Sequence, residues 1–207
     1  MTRLASFFTK VGDCIVLSIF WLICCIPIFT IGSATASLYY VVHKNIKNSR
    51  GYPYKDFFRS FKDNFAQATV SWLVALITGL LFGIITLYFY SALIAGLSIG
   101  YGFFLFAVID LIYLGYLVWL FAYVARFEGD VTNTIKLSAI MAFSHIGTTV
   151  INVILLIICL YAIYLQFPLI LILPAGYILV VSVFIEKQFR KNMSKEDLEL
   201  EDKKNMQ

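Results

Sequence analysis

Between Asp63 and Asp110 the chain runs 46 residues without one charged side chain. A helix in a water-soluble domain needs a polar face, and a stretch this long cannot supply one. A bilayer core about 30 Å thick is crossed by roughly 20 apolar residues in helical form, so the run holds two crossings and a tight turn. The rest of the chain agrees: 61% of its residues are hydrophobic and 14% are charged, against about a quarter charged in soluble domains. The expected fold is all-α, a polytopic transmembrane helical bundle forming a single integral membrane domain over 1–190, followed by a charged tail at 191–207 that is expected to be disordered.

Five hydrophobic blocks emerge, at 14–42, 66–94, 101–125, 137–165 and 167–185. Gly96, Gly100 and Gly102 loosen the backbone between the second and third. Gln166, Phe167 and Pro168 end the fourth, because proline lacks a donor and disfavours helix in the residue before it. Pro174 and Gly176 predict a kink in the fifth. The first block is broken at Pro27, with Thr30 placed to cap a new helix and Gly32 to let the backbone turn. Either it is one long kinked span, or it is a hairpin of two shorter helices, making six pieces.

Basic residues set the orientation. Lys44, Lys47, Arg50, Lys55, Arg59 and Lys62 form the richest loop, which is therefore expected in the cytoplasm. Alternation then puts 96–102 and 166–168 outside, and 126–136 and the C-terminus inside. Of the 16 Lys and Arg residues, two, Arg3 and Lys10, precede the first block. A single first span divides the basic residues 14 inside to 2 outside, and a hairpin puts all 16 inside, so charge mildly favours the hairpin. Arg3 and Lys10 followed by an apolar run and Ala34-Thr35-Ala36 imitate a cleavable signal peptide. The small residues read better as sites of close helix approach, as do Gly79 and Gly83.

Asp110 is the one carboxylate inside a hydrophobic block, 16 residues before Arg126, or about 24 Å along a helix. A carboxylate at that depth is either functional or held by a neighbour. Asn152 and Thr78 fall at comparable depth, so Asp110, Asn152 and Thr78 form a candidate intramembrane polar site. His145, about 12 Å from the cytoplasmic edge, is too shallow to join it. Around 55–65, Phe57, Phe58, Phe61 and Phe65 share one helical face, with Lys55, Arg59, Lys62 and Asp63 around the other. That pattern predicts a helix lying in the cytoplasmic interface, either anchoring to lipid or docking a partner.

No catalytic, cofactor-binding or metal-ligating set is expected. Cys14, Cys24, Cys25 and Cys159 lie in apolar segments without metal-site spacing, and His43 and His145 are the only histidines. No phosphate-binding loop, HExxH helix or nucleophile–base constellation is present, and no basic module points to nucleic acid.

Trp21-Leu22 followed by the run from Pro27 to Ala34, the run from Asp56 to Phe65, and Arg126-Phe127-Glu128 leading to Lys136 resemble the YesL family of bacterial membrane proteins. That family is defined by a domain of unknown function. The resemblance implies a non-enzymatic accessory of carbohydrate or glycan uptake in a bacterial cell membrane, partnered by the permease subunits of an ABC importer. It makes Pro27, Thr30 and Gly32 and the phenylalanine face the first positions to test. The Glu-Ala-Ala loop of importer permeases is absent. The alternative expectation is a small stand-alone permease or channel with a polar path at Asp110 and Asn152. A homo-oligomer is compatible with either.

Overall fold

Long runs without proline and with few charges give long helices here, and glycine, proline and histidine mark where they stop. The computed structural model describes residues 2–47, 52–127 and 129–192. Arg50, Glu128 and the tail at 193–207 lie outside the described residues. All regular structure among the described residues is helical, in eight α-helices: α1 (Thr2–Cys24), α2 (Ile31–Val41), α3 (Pro53–Asp63), α4 (Phe65–Ile94), α5 (Gly102–Arg126), α6 (Val131–Ser144), α7 (Ile146–Leu165) and α8 (Leu173–Asn192). A π-helical stretch, Val42–Lys47, prolongs α2. Three segments are long and apolar enough to cross a membrane: Phe65–Ile94, Ser98–Arg126 and Ile146–Leu165.

The first block is a hairpin. The Trp21 indole of α1 donates to Thr35 Oγ1 of α2 at 3.1 Å across 14 residues, which in one continuous helix would lie roughly 21 Å apart. Thr30 works differently from the expectation. It makes no side-chain bond to the start of α2; its hydroxyl turns back to the carbonyls of Cys24 and Pro27, both at 2.6 Å. It thus serves a backbone acceptor left open at the end of α1. Gly32 sits inside α2, not at the turn, and is needed for a close approach. A Cβ there would run into the Trp72 side chain and come within 2.7 Å of the Ala68 carbonyl on α4. Ser33 bonds Thr69 at 2.9 Å across the same crossing.

Helices α4 and α5 form an antiparallel hairpin around Gly96, whose φ of +74° suits glycine. Phe89 stacks on Phe106 at 5.0 Å, and the Tyr113 hydroxyl donates to the Ala75 carbonyl. Gly79 faces Tyr113, while Gly83 faces open space. On its outer side α4 exposes Ile77, Leu80, Leu81, Ile84 and Leu87, a surface suited to hydrocarbon rather than water.

The fourth block, expected to be continuous, and the fifth, expected to kink at Pro174 and Gly176, are both interrupted elsewhere. The fourth block is split at His145, whose φ and ψ of −119° and 50° leave the helical region. Thr149 spans the break, donating to the Ala142 carbonyl at 2.8 Å and accepting the Trp119 indole at 3.0 Å. In the fifth block the interruption precedes Leu173, so Pro174 falls in the first turn of α8, where proline is tolerated, rather than at a kink. The helix then continues beyond the block to Asn192.

Candidate functional site

Among the described residues, the most heavily buried ion pair lies where the ends of α2 and α5 meet α8. Arg126 is the last residue of α5, a position where a cation also complements the helix dipole. Its guanidinium pairs with Glu186 Oε2 of α8, with 13% and 6% of the two side chains exposed. The other carboxylate oxygen accepts the Tyr39 hydroxyl of α2 at 3.2 Å. His43, carried by the π-helical stretch, brings Nε2 to 3.9 Å from Glu186. Phe127 and Phe189 present their rings to the guanidinium, each 5.7 Å away. Phe189 in turn meets Trp119 edge-on at 5.6 Å.

Three side chains from three elements, Arg126, Tyr39 and His43, thus converge on one carboxylate. Such a cluster can fix the register of helices against one another. Glu186 stands one residue past the fifth block, beside Ile185. A lone acid between an apolar run and the basic residues Lys187, Arg190 and Lys191 is the signal that could have marked it.

The proposed polar site is dispersed. Asp110 is half-buried, and its Oδ2 accepts the hydroxyl of Thr86, not Thr78, at 2.6 Å. Thr78 donates to the Val74 carbonyl of its own helix at 2.9 Å. Asn152 is fully buried, and neither polar atom of its side chain has a hydrogen-bond partner. No hydrogen bond joins Asp110, Asn152 and Thr78 among the described residues. Thr86 was legible: Ser98 lies midway in the turn, and residues 86 and 110 each stand 12 positions from it, which puts them opposite in a hairpin.

The phenylalanine face is divided. Pro53 opens α3, where its missing N–H costs nothing, and Asn64 separates α3 from Phe65, the first residue of α4. Phe57 is buried within the chain, with Phe20 of α1 at 6.3 Å. Phe58 also meets Phe20, at 5.2 Å, yet stays 45% exposed. Phe61 links Phe57 to Phe65 at 6.4 and 5.5 Å. An ion pair between Lys44 and Asp56 at 3.4 Å ties α3 to the end of α2. Docking by this helix would therefore rest on Phe58, Phe65 and the exposed Tyr54 rather than on Phe57.

Among the described residues no three His, Cys, Asp or Glu side chains are grouped to hold a metal ion.

Residues 14–85 match the family model described as "Protein of unknown function, DUF624". The matched segment runs from the middle of α1 through the hairpin and α3 into α4, and so contains Pro27, Thr30, Gly32, Tyr39 and the phenylalanines. Arg126 and Glu186 lie beyond it, so the DUF624-like segment supplies Tyr39 and His43 to the charge cluster and the rest of the chain supplies the ion pair. No curated protein and no solved structure matches the chain.

Proposed function

We propose that this chain is a multi-pass protein of the bacterial cell membrane, without catalysis of its own, that accompanies an ABC importer of carbohydrates or glycan fragments. The observation that carries the reading is the resemblance to the YesL family, whose first two motifs both fall within the segment matched by DUF624. Supporting it, two carboxylates of the helices are engaged inside the chain, Glu186 with Arg126 and Tyr39 and Asp110 with Thr86.

In this reading the hairpin of α1 and α2 enters and leaves on the cytoplasmic side, giving six membrane pieces with both termini in the cytoplasm. Helix α3 lies in the cytoplasmic interface. Its exposed Tyr54 and Phe58, with Phe65 and the bases Lys55, Arg59 and Lys62, form the face toward lipid headgroups and the importer.

The competing reading, a self-sufficient permease, draws on Asp110. The two part in a complementation experiment. Deleting the gene should lower uptake of the importer's sugar in intact cells, and both the wild-type chain and Asp110→Ala should restore it. Restoration by wild type but not by a normally inserted Asp110→Ala protein would favour the permease.

A further inference from the structure

A cavity of about 280 Å³ lies between α1, α2, α4, α5, α7 and α8, with Trp21, Trp72, Val118, Phe121, Leu156 and Ile178 among its walls. We propose that it takes one acyl chain of a bilayer lipid. This inference needs the membrane placement of the helices but not the accessory role.

The walls decide the chemistry. Their few polar groups are already engaged: Thr35 accepts the Trp21 indole, Tyr39 donates to Glu186, Tyr177 to the Asn152 carbonyl, and the Trp72 indole to the Ile28 carbonyl. A sugar or a peptide backbone would find no partner for its hydroxyls or amides and would leave them unpaired. Water is disfavoured for the same reason, since apolar cavities stay dry. An empty space of this size leaves every wall without contacts on one side. A hydrocarbon segment satisfies both conditions.

Position decides the source. The cavity follows α5 from Leu114 to Phe121 and α7 from Leu156 to Ile163, a slot of about 10 Å along the helix axes. These stretches lie inside two of the three segments able to cross a membrane. Leu114 and Leu160 line the slot and are also 36% and 57% exposed. The opening is therefore sideways, away from the helix ends where Arg126 and Asp63 stand. What reaches such an opening from the side is a lipid chain, whose headgroup stays outside.

Native mass spectrometry of the full chain, purified in a mild detergent from its own membrane, tests this. The wild type should retain one diacyl lipid per chain. Val118→Trp, which fills the slot, should lower retention at least tenfold while circular dichroism and helix content stay unchanged. Equal retention by Val118→Trp would overturn the proposal. So would a lipid-free wild type whose melting temperature rises on the same substitution, the behaviour of a dry void. A lipid-free dimer that Val118→Trp dissociates would also overturn it, by making the occupant a second copy. Should Val118→Trp fail to fold, Leu160→Trp at the opening carries the same comparison. Importer association is read independently, so loss of one result leaves the other standing.

Discussion

Glu186 shows how much one carboxylate can organise. Removed from water, it is held by a guanidinium, a phenol and a neighbouring imidazole drawn from α5, α2 and the π-helical stretch. Taking away one partner of a buried pair strands the other charge, at a cost of about 3–5 kcal/mol, whereas replacing both by apolar groups is often neutral. Glu186→Gln should therefore lower the melting temperature in detergent sharply, and the double change Glu186→Leu with Arg126→Met should lose much less. A double variant as unstable as the sum of its singles would show that the two residues act independently. Asp110 stands in a different situation: half-buried, with one short bond to Thr86, it is a pin between α4 and α5.

At the scale of elements, the joints are built by side chains reaching across breaks. Thr149 is the clearest case, since its hydroxyl serves the Ala142 carbonyl and the Trp119 indole at once. Thr149→Val keeps the shape and leaves both groups buried without a partner, so it should cost about 1–3 kcal/mol. Thermal melting in detergent checks this; an unchanged midpoint would mean the joint is held by packing alone. This joint also marks where sequence reading stops. Helical class, the turn at Gly96 and the break at Pro27 were legible because proline, glycine and runs of uncharged residues act locally. The break at His145 was not, because histidine carries no backbone restriction and Thr149 earns its role only when Trp119 arrives from another helix. Thr30 was legible as a cap, but which helix it serves depends on how the chain folds back. The phenylalanine face was legible as a face; that Phe57 turns inward was not, since Phe20 lies far away in sequence.

For the whole molecule, three segments suited to crossing a membrane pack with the other helices around a common core containing Leu17, Leu38, Trp119, Ile185 and Phe189. The proposed orientation is open to direct labelling. In a variant lacking Cys14, Cys24, Cys25 and Cys159, a cysteine replacing Ser98 should react with a membrane-impermeant thiol reagent added to intact cells. One replacing Lys62 should react only after the membrane is opened; the reverse pattern would invert the orientation. Within that frame the chain is read as a partner of an importer, holding position rather than performing chemistry. Purification of the tagged chain from its native membrane in mild detergent, with copurifying proteins identified by mass spectrometry, tests that claim most directly. Stoichiometric recovery of a sugar-importer permease is expected, weakened by Phe58→Ser at unchanged expression. Recovery of the chain alone, under conditions that keep the importer itself intact, would contradict it.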